Sequence, residues 1–484
     1  MQMSNRLKNQ HLLWRAAFGP MAENIAELDS ISQKKLWELL LSTSAKKPAV
    51  IDVVANRFDG LVNGVKEVGQ KKQLTPEQKR TMAQQSRDAI KSLNLTWMAE
   101  MVNSEAQFRE KMSLFWHGHF ACRVINIFYQ QQVLDILRRN AFGNFGEMLR
   151  EVSKSPAMLQ FLNNQQNRKQ RPNENFAREV MELFTMGRGN YSETDVKEAA
   201  RAFTGWGFNL QGEFVFRQNQ HDTGTKTFLG KTGDFDGDDI IDILLEQPQT
   251  AHFITQKIYR HFVNENVDAE KVAWLSKRFY DNQYDLKKLM GDIFTSDWFY
   301  AEQNIGTKIK SPVELLVGIQ RLLPLQLDDS STQLLFQRAL GQVLFYPPNV
   351  AGWPGGKTWI DSSTLMLRLR IPQIITASEA INIKPKSDDD VMMGQMTDKQ
   401  VTLPKKAGYT MRNGGAVVDW ELPLKAFEKV PREKLLPAVS ATVLQAHTRA
   451  SNAVLAKYLN SESREAYVKS AIIYLMSTPE YQLC

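Results

Sequence analysis

Only two cysteines, Cys122 and Cys484, occur in the 484 residues. The chain is therefore no disulfide scaffold, and no cysteine cluster could hold zinc. Long apolar runs are also missing, since none approaches the ~20 residues that span a bilayer. The first residues carry Arg6, Lys8, His11 and Arg15 with no apolar core between them, so they do not read as a signal peptide. As written, the sequence points to the cytoplasm. Basic tracts are lacking as well. The formal net charge is +7, but it is spread over short pairs such as Lys46-Lys47, Lys71-Lys72, Arg168-Lys169 and Lys405-Lys406. A nucleic-acid-binding face concentrates its charge, so nucleic acid is not the expected partner. An anionic substrate remains compatible with the excess of cations.

Four familiar motifs are not met. Five residues separate Gly224 from Gly230-Lys231-Thr232, where a phosphate-binding loop needs four. Asp234 to Asp238 resembles a calcium loop without its later glycine and glutamate, and helix capping explains it better. Neither a Gly-x-Ser-x-Gly elbow nor a dinucleotide-binding glycine fingerprint occurs.

Helical periodicity is what dominates. With 43% hydrophobic and 23% charged residues, the chain can bury a sizeable core. The expected fold is mainly α, a large multi-helix domain over 1–383. A loop or insertion follows over 384–416, and a C-terminal helical segment, 417–484, packs back on the main domain. β structure is confined to one short hairpin near 213–230. Thr75-Pro76-Glu77-Gln78 and Ser311-Pro312-Val313-Glu314 place a capping residue, a proline and an acid or amide in helix-starting order. The first predicts a long helix through Trp97 towards Phe115, broken once. Residues 173–186 predict a helix closed by Gly187, and Ser192 to Asp195 predicts a capping box. Further helices are expected at 132–139, 237–246, 250–263, 268–280, 284–294, 331–340, 362–369 and 436–478.

Chemistry gathers in three polar clusters. In Phe115-Trp116-His117-Gly118-His119-Phe120, an extended backbone would turn both imidazoles to one side, where they could share a metal. On a helix they would diverge by about 200°. The alternative is that both cap and pack beside Trp116. In Asn173 to Phe184, an α-helix puts Asn175, Glu179 and Glu182 on one stripe bordering an apolar face. Two such carboxylates need a cation, a proton or an arginine such as Arg178 or Arg201 between them. On the next helix, Asp195 reads as a cap. The third cluster, His221-Asp222-Thr223-Gly224-Thr225-Lys226, brings a base, a carboxylate and a cation into one loop. Its alternative is a loop that Asp222 ties to its own backbone. Tyr346 to Trp359 is a Pro- and Gly-rich aromatic loop. Its tryptophans are expected to plug the core, the alternative being a pocket wall that stacks on a sugar ring.

Taken in order, His11-Leu12-Leu13-Trp14-Arg15, the His-x-His segment, Asn173 to Thr185, Tyr191 to Trp206, His221-Asp222, Pro312-Val313-Glu314, and Pro347-Pro348-Asn349-Val350 with Gly352-Trp353-Pro354 resemble the bacterial family called domain of unknown function 1800. The likeness runs from about residue 10 to Gln482. It implies that the three polar clusters converge. It also implies a neighbouring gene product that looks like an alkaline phosphatase, and with it a periplasmic or exported setting as the alternative compartment. Trp14 and 384–416 depart from many members.

The function these readings favour is a metal-dependent, hydrolase-like enzyme. His117, His119, Glu179 and His221 would be ligands to a divalent zinc, manganese or iron, and Glu182, Asp222 and Lys226 the catalytic groups. The alternative is a non-enzymatic assembly or chaperone-like partner of the phosphatase-like protein, docking through the Trp353 loop.

Overall fold

A computed structural model describes residues 4–54, 75–209, 211–377, 381–383, 409–411, 416–446 and 451–484. The fold is mainly α. Helices α1 (Asn5–Ala16), α2 (Gln33–Ser44), α3 (Pro76–Asn103), α4 (Gln107–His119) and α5 (Ile127–Arg139) open the chain, followed by α6 (Phe145–Lys154) and α7 (Pro156–Phe161). The helix expected over 173–186 is α8 (Glu174–Glu179) running straight into a π turn, Val180–Thr185. Next come α9 (Glu193–Ala202), α10 (Gly237–Leu245), α11 (Pro248–Phe262), α12 (Ala269–Asp281) and α13 (Leu286–Phe294). The second half holds α14 (Pro312–Leu322), α15 (Ser331–Leu340), α16 (Ser362–Ala377), α17 (Glu421–Lys425), α18 (Leu435–Val443), α19 (Asn452–Ala456) and α20 (Arg464–Met476).

The capping signals act as their chemistry requires. Thr75, Ser192 and Ser311 each accept from the third helical N–H while that residue's side chain reaches back. Asp236 caps α10 in the same way, so the calcium-like run is a helix start. Gly187 closes the π turn at φ +80°, a conformation that costs glycine little.

The described strands form four two-stranded antiparallel sheets. Two hairpins stand where one was expected. They are β1 (Trp206–Phe208) on β2 (Phe214–Phe216), and β3 (Lys226–Phe228) on β4 (Lys231–Gly233). β5 (Leu325–Leu327) pairs with β8 (Ala416–Val418), and β6 (Ile381–Ile383) with β7 (Tyr409–Met411). Most of the expected 384–416 insertion lies outside the described residues. The single helix expected over 436–478 is instead three, and the last break includes Asn460 and Ser463, whose side chains accept from nearby backbone N–H groups.

Apolar side chains gather in two cores. One holds Leu12, Phe108, Met112, Trp116, Phe145, Phe184, Ile258 and Phe262, and the other Trp14, Trp97, Leu114, Val317, Ile371, Val439 and Ile472. Helices α1 and α4 contribute to both, with alternate faces buried on opposite sides. The C-terminal end of α4 therefore lies at the seam between the cores. Among the described residues, no helix is long and apolar enough to cross a membrane.

Candidate functional site

His117 and His119 lie on the last turn of α4, so helical geometry sends them apart. His117 turns into the second core, with its ring 5.2 Å from Trp97, 4.9 Å from Phe345 and 5.4 Å from Trp353. Its Nε2 accepts from the Phe345 N–H at 3.1 Å, and burial pushes its pKa down to about 3, so it is a neutral acceptor. Phe345 sits in the left-handed region at φ +68°, a strained geometry for a bulky residue. His117 thus holds the strained residue from which the Tyr346–Trp359 loop starts.

His119 turns the other way. Its Nε2 donates to the Phe184 carbonyl at 3.3 Å, and its Nδ1 accepts from Lys257 Nζ at 2.9 Å. Lys257 also donates to the Leu183 carbonyl at 3.3 Å. Both carbonyls belong to the π turn, whose wider winding (Met186 N–H to Met181 carbonyl, 2.9 Å) leaves carbonyls at its end for side-chain donors. Burial, and then the Lys257 charge, keep the His119 pKa well below its usual value. Burial lowers the Lys257 pKa to about 8.

The remaining residues singled out from sequence are held elsewhere. Glu179 is half-buried, and burial followed by the charge of Glu182 raises its pKa. Glu182 accepts from the Tyr191 hydroxyl at 3.0 Å. Nδ1 of His221 donates to the Thr204 carbonyl at 2.9 Å, and its ring packs 5.0 Å from Phe216. Asp222 receives a two-point bond from Arg201, Nε at 2.8 Å and Nη2 at 3.1 Å, and accepts from the Gly224 N–H at 2.9 Å. Lys226 is buried with its Nζ 3.2 Å from Asp234. The third cluster therefore lashes the 221–234 loop to α9, where Asp195 and Glu198 also accept from Leu229 and Thr227 N–H groups. Among the described residues, six of the seven have their own hydrogen-bond or ion-pair partners, Glu179 being the exception, and no three of His, Cys, Asp and Glu gather where one ion could sit.

One of the seven, His119, lines a cavity of about 480 Å³ at the seam between the cores. Four segments build it. Phe115, Gly118 and His119 come from α4, and Lys257, Arg260 and His261 from the last turn and a half of α11. Lys308, Ser311 and Glu314 come from the start of α14, and Trp353 and Trp359 from the aromatic loop. That loop is seated backbone to backbone. Gly352 has φ +81°, and a Cβ there would lie 2.2 Å from the Gly118 carbonyl oxygen. Trp359 is buried and Trp353 half-buried, so the loop does both things weighed for it, plugging the core and walling a pocket.

The charge balance inside is specific. Glu314 is fully buried and bound by Lys111, by Lys308 at 2.6 Å and by the Ser311 N–H at 2.8 Å. Burial alone would raise its pKa, but Lys111 and Lys308 hold it well below the carboxylate range. Lys257 and Arg260 have no carboxylate within ion-pair distance among the described residues. Nε2 of His261 is buried against the cavity wall without a hydrogen-bond partner among the described residues. Burial, and then Lys308, push the His261 pKa well below its usual value, so the ring is neutral. Glu265 lines the same cavity, so the site offers a ligand Lys257, Arg260 and an imidazole beside one further carboxylate, while Glu314 is already neutralised by Lys111 and Lys308.

Sequence reasoning passed over Lys257, Arg260, His261, Lys308 and the burial of Glu314. A signal did exist. Lys257, Arg260 and His261 stand at i, i+3 and i+4, one stripe of an otherwise amphipathic helix. Lys308 had none, because its role depends on packing against α4.

No curated protein and no solved structure matches the chain. Residues 11–483 match the family described as Protein of unknown function (DUF1800), and with nearly its whole length covered the chain belongs to that family.

Proposed function

We propose that the cavity beneath the Trp353–Trp359 loop binds a small organic anion with a flat or ring-shaped body. A single observation carries this reading. Lys257, Arg260, Lys308 and the Nε2 of His261, which has no partner among the described residues, line one cavity of about 480 Å³ with two indoles. Ligand pockets of this size pair apolar or aromatic walls with a few polar groups that orient the ligand. A catalytic zinc, manganese or iron on His117, His119, Glu179 and His221 would require the three histidines to leave their present partners. The anion reading requires no rearrangement, so it is preferred to the metal-dependent hydrolase. A docking role for Trp353 towards a phosphatase-like protein is disfavoured by the turn of its ring to His117 and the cavity.

Isothermal titration with pyridoxine 5′-phosphate and glucose 6-phosphate, each beside its unphosphorylated parent, tests this. The phosphorylated forms are expected to bind more tightly, with affinity falling as salt rises. Equal or absent binding of all four would refute the proposal.

A further inference from the structure

We propose that Lys257 is a nucleophile, condensing with the carbonyl carbon of an anionic aldehyde or ketone held in this cavity to form an imine. The inference rests on the anion-binding reading and adds chemistry to it.

Its basis is the geometry around one nitrogen. Nζ of Lys257 donates to His119 Nδ1 at 2.9 Å and to the Leu183 carbonyl at 3.3 Å. A neutral amine has two N–H bonds, and both are engaged. The fourth tetrahedral direction carries the lone pair, and Lys257 lines the cavity from which a ligand would approach it. His119 suits this arrangement because its other nitrogen is fixed as a donor by the Phe184 carbonyl, leaving Nδ1 an acceptor. Arg260, one turn further along α11, lines the same cavity and supplies a charge for the anionic end of the ligand. Burial lowers the amine's pKa, which raises the share of free base near neutrality.

The step balances without a further reactant. The Nζ lone pair forms the C–N bond while the carbonyl π electrons move to oxygen. Both amine protons end on that oxygen, which leaves as water as the C=N bond forms. His119 touches neither carbon nor oxygen, so it is a positioning residue.

The probe is pyridoxal 5′-phosphate, an anionic aromatic aldehyde, trapped with borohydride and located by peptide mapping. About one reduced adduct per chain is expected, on Lys257. It should disappear in Lys257→Arg and be suppressed by pyridoxine 5′-phosphate, which has no aldehyde. His119→Ala should slow trapping at least about tenfold, and His119→Gln, whose amide oxygen can accept, should recover part of the rate. Adducts spread over surface lysines with Lys257 unmodified would overturn the proposal. If pyridoxine 5′-phosphate still binds in that case, the anion site stands and only the imine fails. If it does not bind, both fail. Mapping on the unaltered chain keeps the test decisive should a variant misfold.

Discussion

Replacing Glu314 with glutamine is the sharpest test of how the cavity floor is built. The substitution keeps size and the capping position but removes the charge. Lys111 and Lys308, which close on one carboxylate oxygen, would then be buried cations without a counter-charge. Breaking a buried pair from one side costs about 3–5 kcal/mol, mostly from the ions left behind. An unfolding entropy of about 2.1 cal/mol/K per residue, taken over 484 residues, gives about 1 kcal/mol/K. The melting temperature should then fall by about 3–5 °C in a cooperative transition. Adding Lys111→Met should recover part of the loss, since one stranded ammonium goes with it. The pH dependence has a fixed sign. The folded pKa of Glu314 is depressed, so its contribution is present above the unfolded value near 4.3 and lost as pH falls through the folded one. Scanning calorimetry at pH 7 and below pH 4 measures both effects. A glutamine variant that melts with the parent at pH 7 would show that the three groups do not depend on one another, and the reasoning would fail.

Four other outcomes follow from the same geometry. Gly118→Leu should abolish pyridoxine 5′-phosphate binding while leaving melting nearly unchanged, because a Cβ there meets nothing within 4 Å; titration with calorimetry checks both halves. Gly352→Ala should lose both binding and about 1–3 kcal/mol, since neither its φ nor the Gly118 carbonyl accommodates a methyl, as denaturant unfolding would show. Trapping at Lys257 should rise with pH and level off above about 8. At pH 7 this lysine would hold about 300-fold more free base than a solvated one, and a trapping-rate profile that climbs to pH 10 would contradict that. Arg201→Ala should loosen the 221–234 loop by about 1 kcal/mol or less, as the pair with Asp222 is partly exposed. Hydrogen exchange should report that loosening in full above about pH 4, the unfolded carboxyl range, and see it fade as pH falls through the depressed Asp222 pKa.

Much of the fold was legible because its signals are local. Thr75, Ser192, Ser311 and Asp236 start helices through bonds spanning three residues, and a single chain displays them fully. The site was less legible for two reasons. An α-helical winding was assumed over Asn173 to Thr185, and from Val180 onward a π turn takes its place. That segment serves the cavity through the Leu183 and Phe184 carbonyls, which no side-chain pattern reveals. The cavity also takes its cations from α11 and from the entrance to α14, segments whose meeting depends on how the two cores abut. His119 was found because its neighbours are unusual. Lys308 was not, since a lysine beside a helix start is ordinary until Glu314 is seen to be buried.

The π turn carries a consequence for the length of the chain. Its hydrogen bonds span five residues where an α-helix spans four, so the segment contains one residue beyond what regular winding needs. Deleting any single position within 180–185 would let regular winding resume and close the wide turn that leaves the Leu183 and Phe184 carbonyls open to side-chain donors. Two oxygen acceptors would retract with it, and Lys257 and His119 would lose their anchors although neither had been altered. Shortening here should therefore harm the molecule more than exchanging Met181 or Leu183 for another apolar residue.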